Sequence, residues 1–122
     1  MINGAHLLLY STDADADRAF IKDVLQFAHV DVGGGWLIFR LPPSELAIHP
    51  ADEAAESSVS IQAELYLMCD DVEATVTALE AKRVDCAPRV TERWGIRTAL
   101  TLPSGGHLGL YQPTHPTATT IA

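Results

Sequence analysis

Cysteine is scarce in this chain: Cys69 and Cys86 are the only two. Their separation matches no metal-binding spacing, which argues against a disulfide scaffold and suggests a reducing cytoplasm with both thiols in the core. Basic residues are also few, 8 Lys and Arg against 16 Asp and Glu, for a formal net charge of −8. Nucleic acids and anionic membrane surfaces call for a basic footprint, so neither partner is expected. The balance suits a cationic ligand; an acidic surface also simply favours solubility. No apolar run approaches the roughly eighteen residues that span a bilayer. The start, Met1-Ile2-Asn3-Gly4-Ala5, has no basic stretch followed by an apolar one, so no export leader is expected. Gly33-Gly34-Gly35 lacks the GxGxxG-then-helix context of a nucleotide fingerprint. Neither a serine nucleophile elbow nor a Cys–His catalytic spacing is present.

What is present is a repeat. The 122 residues, 48% of them apolar, suffice for one compact domain with its own core. Ala5-His6-Leu7-Leu8-Leu9-Tyr10-Ser11-Thr12-Asp13 aligns with Ala63-Glu64-Leu65-Tyr66-Leu67-Met68-Cys69-Asp70-Asp71. Both read as strands running into an acidic helix start. Amphipathic helices follow, with Ala16, Ala19, Phe20, Val24 and Leu25 in the first and Val72, Val76 and Leu79 in the second. Asp13 and Asp71 stand where an N-cap carboxylate would satisfy free backbone N–H groups. The later parts match as well: 37–49 and 98–111 each read as strand, Pro/Ser/Gly turn, strand. A less distinct strand precedes each hairpin, near Ala28–Val32 and Pro88–Glu92. The expected fold class is therefore α+β, two tandem βαβββ modules at about 2–50 and 63–113. A polar linker at about 51–62 joins them, and a loose tail covers 114–122.

These segments resemble the vicinal oxygen chelate superfamily, which includes glyoxalase I, extradiol dioxygenases and the bleomycin-resistance binding proteins. The carriers are the two first-strand segments and Leu102-Pro103-Ser104-Gly105-Gly106-His107-Leu108-Gly109-Leu110-Tyr111, duplicated and in order over roughly residues 2–113. The resemblance implies an open, barrel-like cleft enclosed by the two modules. In metal-dependent members each module supplies one ligand from its first strand and one from its fourth. The matched first-strand positions are His6 and Glu64, both residue types that bind divalent ions such as Fe, Ni, Mn or Zn. The matched fourth-strand positions are Ala47 and Gly109, which cannot coordinate.

Side-chain alternation puts Glu45, Ala47 and His49 on one face of their strand, and His107, Gly109 and Tyr111 on one face of theirs. Leu46, Ile48, Leu108 and Leu110 then face the helices. His49, His107 and Tyr111 are the candidate catalytic groups, either histidine serving as a further metal ligand or as a general base. Glu45, Tyr66, Trp36 and Trp94 are the candidate ligand contacts. Each tryptophan either stacks on a planar ligand or packs against a partner subunit. Two functions stay open. One is a metal-assisted lyase, isomerase or dioxygenase acting on adjacent substrate oxygens, with His6 and Glu64 holding the ion. The other is a metal-free protein that sequesters a small cationic or aromatic compound. A homodimer is expected in either case.

Overall fold

The computed structural model describes residues 1–50 and 62–121; all of the expected linker but Gln62 lies outside them. The elements run α1 (Ala14–Phe20), a wider π-type turn at Ile21–Leu25, β1 (His29–Asp31), β2 (Leu37–Phe39), β3 (Tyr66–Met68), α2 (Val72–Ala81), β4 (Val90–Glu92), β5 (Gly95–Thr101) and β6 (His107–Pro113). The chain groups into two compact units, Met1–Arg40 with Thr101–Gly106, and Leu41–Leu100 with His107–Ala122. Among the described residues the architecture is mixed α+β with two sheets and two α-helices.

Both helices begin where the sequence places their caps. Asp13 Oδ1 accepts from the Ala16 N–H at 3.2 Å, and Asp71 Oδ1 from the Ala74 N–H at 3.0 Å. Each carboxylate satisfies a donor that the first helical turn leaves open, and opposes the positive end of the helix dipole. Gln112 reaches from β6 to accept from the Val72 N–H at 2.9 Å, tying the start of α2 to the sheet beside it.

The second unit combines α2 with a four-stranded sheet. Its sheet has the order β3-β6-β5-β4, with β3 and β6 parallel and β4 antiparallel to β5. The parallel ladder continues past β3, because the Cys69 N–H donates to the Tyr111 carbonyl at 3.0 Å. One sheet face and the apolar stripe of α2 make the core. Val72, Val76 and Leu79 of α2, Leu108 and Leu110 of β6, and Leu100 of β5 are all buried. Alternation along β6 thus turns its leucines toward the core and leaves Gly109 and Tyr111 on the other side.

The first unit departs from the expected module. Its two three-residue strands pair as a hairpin, His29 opposite Phe39 and Asp31 opposite Leu37. Gly33, Gly34 and Gly35 form the turn, all at positive φ, and Asp31 Oδ1 accepts from the Gly33 N–H at 2.8 Å. A left-handed run of this kind is why three glycines stand there. The strands expected at Ala5–Asp13 and Glu45–His49 do not form: residues 1–11 and 44–50 have no ladder partner among the described residues. A strand needs a neighbour for its backbone groups, so apolar alternation alone does not make one. The apolar side chains of these segments stay in solvent, with Tyr10 94% exposed and Leu46 86%.

The first unit is fastened by polar contacts. Asp17, 9% exposed, accepts from Ser11 Oγ at 2.7 Å, Ser104 Oγ at 2.7 Å and the Ser104 N–H at 3.0 Å. Burial pushes this carboxyl's pKa up, but the three hydrogen bonds outweigh it and hold the group below its ordinary value.

Candidate functional site

A pocket of about 540 Å³ opens in the second unit. Its rear wall is the non-core face of the β3–β6 ladder, where Tyr66 stands opposite Gly109 and Met68 opposite Tyr111. Trp94, in the turn between β4 and β5, closes one side. The irregular segment Leu41–His49 supplies another wall, including Leu41, Pro42, Pro43, Glu45 and His49. Glu64, two residues before β3, sits at the same pocket. Among the described residues, no Lys or Arg lines it.

Three aromatic rings dominate the lining. Tyr66, Trp94 and Tyr111 stand with centroids 5.0 to 5.9 Å apart and interplanar angles of 77°, 80° and 89°. Perpendicular contacts of this sort set the positive edge of one ring against the negative face of another.

Beside the rings lies a polar cluster. The Tyr111 hydroxyl is 3.0 Å from His115 Nε2 and 3.5 Å from Glu45 Oε1. His115 Nδ1 is 2.7 Å from the Pro116 carbonyl, which can only accept, so in the neutral ring Nδ1 carries the proton. Nε2 is then an acceptor, and the single Tyr111 O–H proton lies between it and Glu45 Oε1. The other Glu45 oxygen accepts from the Ala118 N–H at 2.7 Å. Burial, together with the charge and hydrogen bond of Glu45, raises the Tyr111 pKa. Tyr111 is thus held as a neutral phenol, a donor of hydrogen bonds.

Glu45, His49, Glu64, Tyr66, Trp94 and Tyr111, all singled out from sequence, line this one pocket. The remaining candidates are not among the lining residues. His107 is at the exposed start of β6 and is not among the lining residues. His6 belongs to the exposed N-terminal segment of the first unit. Trp36 follows the glycine turn of that unit, 60% exposed, with Arg18 Cζ 4.4 Å from its ring centroid. Sequence reading missed His115 and Thr119, which reach the pocket from the segment expected to be a loose tail. Thr114 also bonds there, its N–H donating to the Trp94 carbonyl at 3.0 Å. The available signal was Pro116, which biases His115 toward extended backbone. Cys69 and Cys86 are half-buried thiols whose pKa burial raises, which suits inert packing residues.

No protein-family model matches the chain, and no curated protein matches it by sequence. Solved structures do. An antibiotic-binding protein from Streptomyces sp. CB03234 superposes with a TM-score of 0.60 at 21% identity, over 93% of this chain and 100% of that one. A lactoylglutathione lyase from Agrobacterium tumefaciens gives 0.59 at 20% identity, over 85% and 88%. A glyoxalase/bleomycin resistance protein from Streptomyces sp. CB03234 gives 0.55 at 22% identity, over 84% and 93%. The chain has the vicinal oxygen chelate fold.

Whether the metal site associated with that fold fits this chain can be read at β6. The ring of Tyr66 packs directly over Gly109, and a Cβ built at 109 would lie 2.6 Å from Tyr66 Cε1 and 2.7 Å from Cγ. Any side chain there would collide with the ring, so Gly109 is a close-approach glycine. The room a fourth-strand glutamate would need is taken by Tyr66. Ala47 offers no donor either. His6 and Glu64 remain, two donors where structural and catalytic sites use three or four. Among the described residues, no three His, Cys, Asp or Glu side chains are grouped to hold an ion. The four-ligand metal set of the vicinal oxygen chelate fold does not fit these residues.

Proposed function

We propose that this is a metal-free binding protein that encloses a small cationic or aromatic organic compound in the pocket of the second unit. The observation that carries the reading is Tyr66 over Gly109: an aromatic ring fills the place of a metal donor and becomes a wall of the pocket. A cavity of about 540 Å³ is in the size range of drug-like ligands. Its walls are apolar and aromatic with a few polar groups, the mixture such sites use. The likeness to an antibiotic-binding protein supports the same reading at the level of fold.

The test has two arms. Protein purified without added metal is titrated calorimetrically with Ni, Mn, Fe and Zn, and no ion is expected to bind tighter than about 1 mM. A panel of cationic and neutral aromatic compounds is then followed by Trp94 fluorescence, with Trp36→Phe removing the second fluorophore. Saturable quenching by at least one compound is expected. A tight metal site lost in both His6→Ala and Glu64→Ala overturns the reading, as does silence across the panel.

The homodimer belongs to this proposal too. Ile2, Leu8, Tyr10, Leu46 and Ile48 are well exposed in segments that carry strand-like alternation, and unpaired apolar segments seek a second chain. Gel filtration at twice the 13.2 kDa chain mass is expected; elution as a monomer removes the dimer. The half-buried free thiols fit a reducing cytoplasm. No helix among the described residues is long and apolar enough to cross a membrane.

A further inference from the structure

From the arrangement of its walls we infer that the pocket is built for an alkylated ammonium group, a conclusion that rests on the binding reading above and narrows its ligand class. The rings of Tyr66, Trp94 and Tyr111, all of which line the pocket, meet edge to face at nearly right angles in all three pairings, so their planes are turned in three different directions. The face of each ring carries the negative part of its quadrupole, and cations are drawn to ring faces within about 6 Å of the centroid. Several differently oriented faces in one pocket suit a roughly spherical cation better than a flat one. Tryptophan, the strongest such face, is among them.

Charge points the same way. Glu45 and Glu64 line the pocket, and among the described residues no Lys or Arg does. An anionic ligand would meet two carboxylates with no permanent cation to offset them. Glu45 is fixed in place, one oxygen accepting from the Ala118 N–H at 2.7 Å and the other 3.5 Å from the Tyr111 hydroxyl. It therefore presents its charge beside the rings without a large loss of side-chain freedom on binding.

The remaining wall separates an alkylated ammonium from a primary amine. Leu41, Pro42, Pro43, Leu65, Leu67 and Met68 offer apolar surface. A primary ammonium is strongly hydrated and would leave N–H donors unpaired against them. An alkylated nitrogen has few or no N–H groups and buries its methyl carbons favourably against the same side chains. The cavity of about 540 Å³ exceeds a single such group, so the ammonium is one end of a larger, mostly apolar molecule.

The full-length protein is titrated with choline and with its uncharged carbon isostere, 3,3-dimethylbutan-1-ol, by calorimetry and by tryptophan fluorescence in Trp36→Phe. Choline is expected to bind at least about tenfold tighter than the isostere, the order expected of a desolvated cation–π site with a nearby carboxylate. Glu45→Gln keeps the side chain's shape, and it should lower the ratio while far-UV circular dichroism stays unchanged. Trp94→Leu should weaken choline more than the isostere. Should Trp94→Leu fail to fold, Glu45→Gln and Glu64→Gln still decide the matter by their charge effect. Equal or tighter binding of the isostere overturns the ammonium inference and leaves the general binding reading standing. The same holds if neither of the pair binds while a neutral compound of the wider panel does. Silence from the pair and from the whole panel removes both.

Discussion

The two copies of the repeat are written in nearly the same pattern and are held together by different means. The second buries Leu100, Val72 and Val76 to 1% exposure or less, between a helix and a four-stranded sheet. The first has only Phe20 and Asp17 as buried residues, and its sheet is a pair of three-residue strands. An apolar core holds the second, and hydrogen bonds to one buried carboxylate hold much of the first. The difference teaches that a repeated sequence pattern specifies a module only when each strand finds a neighbour. It also explains why the pocket lies in the second unit: rigid elements position a site better than unpaired segments do.

The largest contrast is expected in the cores. Leu100→Ala should cost about 3 kcal/mol in urea unfolding. Leu8→Ala in the first copy, with Leu8 65% exposed, should change stability by less than about 0.5 kcal/mol. Comparable losses at both positions would break the comparison, and would show that Leu8 is covered by a second chain in solution.

Gly109→Ala comes next. Its Cβ would be driven into the Tyr66 ring, and overpacking of this kind costs about 2 kcal/mol. In the double variant with Tyr66→Ala most of that penalty should vanish, a coupling that a double-mutant cycle reads directly. An additive pair would mean that Tyr66 does not cover Gly109.

Asp17 probes the other side of the comparison. Its folded-state pKa is lowered relative to 3.8, so its contribution is present above that value. The contribution is lost as pH falls through the lowered folded value. Acid titration followed by the environment of Trp36 should report this loss, and Asp17→Asn should flatten the response in that range. At neutral pH Asp17→Ala should cost about 1.5 kcal/mol, since the Ser104 N–H loses a charged acceptor. A smaller loss than at Asp17 is expected at the caps: Asp71→Ala and Asp13→Ala should each cost about 1 kcal/mol in thermal melts.

Much of the second copy was legible in its residues. Asp71 announces α2, the alternation of Leu108 and Leu110 with Gly109 and Tyr111 assigns the faces of β6, and Val90–Glu92 falls within the expected strand. These features are local, and local spacing reports them. The first copy's outer strands do not form, because the apolar run in Ala5–Asp13 and the alternation in Glu45–His49 report where apolar side chains fall but not the presence of a hydrogen-bonding neighbour. In the site, Glu45, His49, Tyr66 and Tyr111 were visible as polar or aromatic residues at expected strand positions, and Trp94 as an aromatic before Gly95 at the start of a hairpin. His115 was not, since its place depends on a chain reversal after β6 that no periodicity encodes. The role of Gly109 was half visible: its lack of a donor is plain in the sequence, while the ring that fills the space is a fact of register between β3 and β6.

The central claim is that the pocket of the second unit takes an organic ligand without a metal ion. Backbone amide shifts during a ligand titration in EDTA test it most directly, using choline or whichever panel compound quenches Trp94. The account predicts saturating shifts at Tyr66, Trp94, Tyr111 and His115, the same with EDTA as without, and none of them reproduced by Zn alone. Ligand shifts that appear only after a divalent ion is added, or Zn-induced shifts centred on Glu64, would contradict it.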